Sequence, residues 1–230
     1  MSVMADFISR EELAKMIDHS LLKPELTRQQ TADGIQIALK HRVAAVTVKP
    51  CDVALAAEMV SGSSVKVNPV IGFPLGYDTT LTKVFATSEA MVHGAHEIDM
   101  VINIGALLGG EDDLVQEDIA AVVKAADDAP VKVILEIAYL NNDQIVRACQ
   151  LCEAAGARFV KTSSGFAASG YTLEALKLMR ASVSAQVQVK AAHGVRTLDD
   201  ALAVRAVGVT RFGATQTEKI MAEWETRFGK

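Results

Sequence analysis

Cysteine is scarce, and three residues in a chain of 230 do not make a disulfide framework for a protein this large. Cys149 and Cys152 are spaced C-x-x-C, but they lie inside the amphipathic run 144–155 with no turn before them. Core packing is therefore expected rather than redox or zinc chemistry, since zinc would want a second ligand pair. The five histidines do not pair at metal-ligand spacing, and His93 and His96 flank Gly94-Ala95 where a helix should end. A basic excess is also missing. A net charge of −5 and a pI near 5.6 argue against nucleic acid or an anionic membrane as partner, because both demand a basic patch, although a local basic pocket stays allowed. No apolar stretch reaches the length of a membrane span, and residues 1–10 show no basic segment followed by a long apolar one. The cytoplasm is the expected location.

What is present is a large store of apolar residues, 50% of the chain, arranged in alternating patterns with no linker or low-complexity tract between them. Strand-like runs fall at 17–21, 44–48, 65–71, 97–102, 131–137, 158–162, 186–191 and 210–213. Runs with helical periodicity lie between them, among them 27–40, 80–93, 114–126 and 173–181, with 217–228 after the last strand and an opening helix at 10–17. Eight strand–helix alternations in this length predict the α/β class and a (β/α)8 TIM barrel with an extra N-terminal helix, residues 1–230 forming one domain. The first strand carries the weakest pattern, being short and polar.

Two lysines stand out against this frame. Lys161, in Arg158-Phe-Val-Lys-Thr-Ser-Ser-Gly165, and Lys190, in Val187-Gln-Val-Lys-Ala-Ala-His-Gly-Val-Arg196, each close a short β-branched segment and precede small residues. They are 29 positions apart, about one strand–helix unit, so adjacent barrel strands would aim both at the same mouth. Two ammonium groups that close repel, which lowers the pKa of one and leaves an amine able to attack a carbonyl. Asp99 lies within the apolar strand Glu97-Ile-Asp-Met-Val-Ile-Asn-Ile-Gly105, and a carboxylate in a barrel interior demands a partner. It is either a structural mate for a lysine or the group that keeps Lys190 charged, so that Lys190 depresses the pKa of Lys161 and relays protons.

Five segments then carry a resemblance: Ile17-Asp-His-Ser-Leu-Leu-Lys-Pro24, Val70-Ile-Gly-Phe-Pro-Leu-Gly76, the Glu97–Gly105 strand, Phe159-Val-Lys-Thr-Ser-Ser-Gly-Phe166 and Val189-Lys-Ala-Ala-His-Gly-Val-Arg196. In this order, and spanning nearly the whole chain, they resemble the deoxyribose-phosphate aldolase family. The resemblance implies that Lys161 is the Schiff-base lysine, Lys190 the lysine that tunes it and Asp99 the carboxylate of a proton relay, with Asp18, Ser20 and Ser164 lining the pocket. It implies reversible cleavage of 2-deoxyribose 5-phosphate to acetaldehyde and glyceraldehyde 3-phosphate. Neither a metal nor an organic cofactor is expected, because a protonated imine is the electron sink that zinc supplies in metal-dependent aldolases. The expected partners are small aldehydes and sugar phosphates, with a homodimer as the protein assembly left open.

Phosphate binding in the family uses the loops after the last strands, which here match at Gly165, Gly194, Val195, Arg196 and Gly213. Two positions depart from the pattern. His193 stands where a Gly-Gly pair usually begins, and Thr215-Gln216 replace small residues. His193 would fill space and restrict the backbone, unless its imidazole contacts the anion. Thr215-Gln-Thr-Glu218 scans as a capping box that would put Glu218 beside the anion. These departures motivate an alternative, an aldolase of the same mechanism with a different or unphosphorylated acceptor; a non-catalytic sugar-phosphate binder is a third reading. Thr47 replaces a cysteine common in relatives. Lys49, where a neutral residue is usual, is either a third active-site cation or a solvated rim residue. The chain's end, Arg227-Phe-Gly-Lys230, lacks the tyrosine tail of some relatives.

Overall fold

The computed structural model describes residues 7–229; the readings drawn from residues 1–6 and from Lys230 fall outside it. Eight parallel strands close into a barrel in the order β1 to β8. They are β1 (Ile17–Leu21), β2 (Ala45–Val48), β3 (Lys66–Ile71), β4 (Ile98–Val101), β5 (Val131–Ile134), β6 (Phe159–Lys161), β7 (Gln188–Ala191) and β8 (Arg211–Ala214). The helices are α1 (Arg10–Met16), α2 (Arg28–His41), α3 (Val53–Val60), α4 (Thr80–Val92), α5 (Ile104–Gly109), α6 (Asp112–Ala125), α7 (Asn142–Ala154), α8 (Leu173–Ala181), α9 (Leu198–Ala206) and α10 (Thr217–Phe228). The expected barrel and its short opening helix are thus both present, and Cys149 and Cys152 are buried, unpaired, inside α7. Among the described residues no helix is long and apolar enough to cross a membrane.

Alternation along the strands sorts the chain into two interiors. Val46, Val48, Val67, Met100, Val133, Val160, Val189 and Phe212 are fully buried beneath the helices, each worth about 1.5–3 kcal/mol when taken from water. The residues between them, including Thr47, Asn68, Asp99, Lys132, Lys161 and Lys190, are almost as inaccessible yet meet one another across the barrel axis. Isolated charges in apolar strands are the sequence trace of that polar centre.

Local chemistry fixes the helices around it. Ser9, Thr27, Asn141 and Thr197 cap α1, α2, α7 and α9, each receiving a reciprocal bond from the residue three places on. Gly34 in α2 lets the helix seat on β1, since a Cβ there would come within 2.3 Å of the Leu21 side chain. Element ends depart from the sequence reading where the backbone turns. The run 131–137 stops at Ile134, because Glu136 takes a left-handed conformation at φ 52°. The last strand is displaced by one residue, and α6 starts two residues before the expected 114 and follows the short α5.

Candidate active site

The register of the barrel sets Lys161 directly beside Lys190 on β6 and β7, and Asp99 beside Lys132 on β4 and β5. Both Lys161 and Lys190 donate to the same carboxylate oxygen, Asp99 Oδ2, at 2.6 and 2.8 Å. Lys190 also pairs with Asp18 Oδ2. The other oxygen, Asp99 Oδ1, accepts from Lys132 Nζ and from Asn68 Nδ2, both at 3.0 Å. Lys132 continues to Asn68 Oδ1 and Glu97 Oε2, each 2.7 Å away, and Arg211 spans Asp18 and Glu97. The set holds four cations, Lys132, Lys161, Lys190 and Arg211, against three carboxylates. With one positive charge in excess and little water, one ammonium is cheap to deprotonate.

The electrostatics place that weakness. Burial pushes Lys190 down to about 8, although Asp18 and Asp99 pull the other way; Lys161 and Lys132 add to the lowering. Lys190, which the sequence reading expected Asp99 to keep charged, is itself held below the lysine range. Because the two amines share one oxygen, protons lost from them belong to the pair. Burial alone would raise Asp99, but Lys132, Lys161 and Lys190 hold it well below the usual carboxylate range. Asp18 is likewise held down to about 2, Arg211, Lys190 and Lys132 together outweighing burial. Lys132 is raised: burial opposes its charge, but Asp99, Glu97 and Asp18 override it.

Above this network opens a cavity of about 400 Å³ at the carboxyl ends of the strands, and Lys161 and Lys190 reach it. Ser20, Ser164, Gly165, His193, Gly194, Val195, Arg196, Gly213 and Thr215 also border it, as does Thr47. Asp18 and Asp99 lie beneath the floor and act on the lysines rather than forming the lining. Gln216 does not border it: its exposed side chain stands at the N-cap of α10. The capping box expected at 215–218 is therefore corrected. Gln216 occupies the cap without a side-chain bond; the Thr217 hydroxyl lies 2.8 Å from His19 Nδ1, and Glu218 pairs with Lys40 at 3.0 Å.

His193 adopts φ 61°, a torsion glycine takes freely and histidine does not. Its Nδ1 is buried without a hydrogen-bond partner among the described residues. The neighbouring Gly194, at φ 148°, lies so near Tyr171 that a Cβ would come within 2.9 Å of the ring. Ser164 is held from behind: its hydroxyl donates to the buried Glu136, its N–H reaches the same carboxylate at 3.2 Å, and its oxygen accepts from Phe166 N–H at 3.0 Å. Lys49 lies off the cavity, donating to Leu26 O at 2.9 Å with Asp52 at 3.4 Å. It is neither part of the cavity lining nor solvated, its side chain being mostly buried between these two partners.

Sequence reasoning missed Lys132, Asn68, Arg211 and Glu136. The first three carry the signal that exposed Asp99, a polar residue inside a strand, with Lys132 between Val131 and Val133. Glu136 had no such signal, its role depending on a backbone turn. Burial also lifts the thiol of Cys149 to about 12 and holds that of Cys152 well above the usual thiol range, which makes both inert packing groups. Among the described residues no three of His, Cys, Asp and Glu assemble as a metal-holding group.

A family model described as DeoC/LacD family aldolase matches residues 13–215. The chain is 53% identical over 208 residues to deoxyribose-phosphate aldolase 2 of Staphylococcus aureus (strain MSSA476), covering 90% of this chain and 94% of that one. It is 54% identical over 207 residues, with the same coverage, to deoxyribose-phosphate aldolase 1 of Staphylococcus aureus (strain MRSA252). Among solved structures, the aldolase QR15 superposes with a TM-score of 0.90 at 36% identity, over 94% of this chain and 97% of its own. The tetrameric deoxyribose phosphate aldolase from Aeropyrum pernix gives 0.88 at 25% identity, over 99% and 100%.

Proposed function

This chain belongs to the DeoC/LacD family of aldolases, and from that premise we propose that it is a Schiff-base deoxyribose-phosphate aldolase with Lys161 as nucleophile. The observation that carries the reading is the shared oxygen: two lysines at the cavity floor hold one carboxylate between them, at 2.6 and 2.8 Å. A mere binder has no use for an amine pair with excess positive charge, whereas imine chemistry needs one amine neutral and another group ready to carry protons.

In the cleavage direction the Lys161 amine adds to the C1 aldehyde of open-chain 2-deoxyribose 5-phosphate, and loss of water gives a protonated imine. Removal of the C3 hydroxyl proton breaks the C2–C3 bond. Glyceraldehyde 3-phosphate leaves, and the bond's electrons move into an enamine. The enamine takes a proton at C2, and water then releases acetaldehyde from Lys161. Asp99 and Lys190 move these protons through a water held between them and the substrate. The iminium is the electron sink, so the proposed steps use no metal or organic cofactor.

The phosphate end of the substrate belongs against Gly165, Gly194, Val195, Arg196 and Gly213, with His193 and Thr215 as neighbours. Similarity to relatives named for the phosphorylated sugar does not favour the alternative of an unphosphorylated acceptor, and the position of Gln216 off the cavity removes one of its two motives. The reading treats residues 1–230 as one catalytic domain. Its unpaired cysteines fit the reducing cytoplasm, and Leu81 and Phe85, exposed one turn apart on α4, are compatible with a homodimer. A coupled assay of acetaldehyde release tests the activity: 2-deoxyribose 5-phosphate should be cleaved with higher kcat/KM than free 2-deoxyribose. Equal values for the two, or no cleavage of either, would overturn it.

A further inference from the structure

We infer that Lys23 is a second cation for the substrate's phosphate, and that Lys49 is the positioning residue that holds it over the cavity. The inference rests on the aldolase reading and deepens it. A phosphate monoester carries about −1.5 to −2 charge at neutral pH, which one guanidinium does not balance. Among the described residues four cations border the cavity, and Lys161 and Lys190 are engaged by Asp99. Arg196 and Lys23 remain, on different loops of the mouth.

The segment that carries Lys23 is fixed at several points. Leu21, two residues earlier, is buried at the end of β1 against Gly34. Leu26 N–H bonds back to Lys23 O at 3.2 Å, closing a turn, and Thr27 then caps α2 through a full capping box. Lys49 completes the brace by donating to Leu26 O at 2.9 Å while Asp52 holds its charge at 3.4 Å. Lys49 does not border the cavity, so its influence on substrate passes through this loop. The long Lys23 side chain is thus exposed to incoming anion on a backbone that does not have to be ordered on binding. Glu25 borders the same mouth with the opposite charge and should weaken anion binding, which makes it a control of opposite sign.

Steady-state kinetics with 2-deoxyribose 5-phosphate and free 2-deoxyribose, and binding of inorganic phosphate followed by calorimetry, test the inference. Lys23→Gln should raise KM for the phosphorylated sugar about tenfold or more, as loss of a charge-assisted bond implies, and weaken inorganic phosphate in the same proportion, with kcat little changed. Glu25→Gln should strengthen phosphate binding. Lys49→Met should raise the same KM by a smaller factor, and Lys49→Arg should restore it. An unchanged KM and phosphate affinity in Lys23→Gln, or an equal loss for both sugars, would overturn the inference while leaving the aldolase reading intact. Failure of the wild type to cleave either sugar would instead sink the aldolase reading, and the phosphate-binding arm would still decide the role of Lys23.

Discussion

Replacing Asp99 with asparagine keeps the shape of the side chain and removes the charge shared by Lys161 at 2.6 Å, Lys190 at 2.8 Å and Lys132 at 3.0 Å. The buried set then holds its four cations against Asp18 and Glu97 alone. The new amide also points donors at ammonium groups wherever its nitrogen takes an oxygen's place. Removing one partner from a buried ionic cluster costs about 3–5 kcal/mol, and release of a proton from one amine is the cheapest relief. Asp99→Asn should therefore unfold at lower urea, by up to that amount, and still fold. Turnover should fall on the order of a hundredfold or more, because Asp99 Oδ2 touches both floor lysines and links them for proton transfer. Lys161 still reaches the cavity, so borohydride should trap its imine with acetaldehyde in the variant as well. The coupled cleavage assay, urea titration and trapping are read on one preparation. A folded Asp99→Asn protein with near-normal turnover would refute the reasoning and leave Asp99 a structural mate for its lysines.

Three further outcomes follow from the electrostatics and the backbone. Lys190 sits at about 8, below the usual ~10.4 of lysine, so the neutral amine in the pair is lost as pH falls below 8; kcat/KM should drop about tenfold per unit there, and Lys190→Met should abolish this limb in profiles from pH 6 to 9. Asp18 is held to about 2 and Asp99 well down, both below the ~3.9 of an unfolded aspartate, so their stabilisation is full above about 4 and fades as pH drops toward 2; urea midpoints should fall across that window, and less steeply in Asp18→Asn. His193→Gly removes a side chain from φ 61° and should leave the fold equally stable or more so by about 1 kcal/mol, while a drop in kcat/KM for the phosphorylated sugar alone would mark His193 as a phosphate contact.

The barrel was legible because its outward-facing strand residues are apolar and evenly spaced, and Asp99, Lys161 and Lys190 stood out against them. Lys132 obeys the same rule and could have been found with it. What pairwise pattern could not supply was the third dimension: that Lys161 and Lys190 converge on one oxygen depends on strand register, which brings residues 62 and 91 positions from Asp99 to the same atom. Glu136 escaped notice because its place behind Ser164 depends on a left-handed turn that no local periodicity marks. The capping box failed for a physical reason as well, since Thr217 bonds His19 from the first turn of α10 and leaves the cap to Gln216. Lys49 looked ambiguous in sequence because a residue at a strand end can face the mouth or the solvent, and in the fold it does neither, turning instead to the Leu26 carbonyl and Asp52.

The covalent step decides the account most directly. Reduction of the protein with borohydride in the presence of acetaldehyde, followed by peptide mapping in a mass spectrometer, should find an N-ethyl group on Lys161. Modification at Lys190 or Lys49 with Lys161 untouched, or no modification at all, would contradict it.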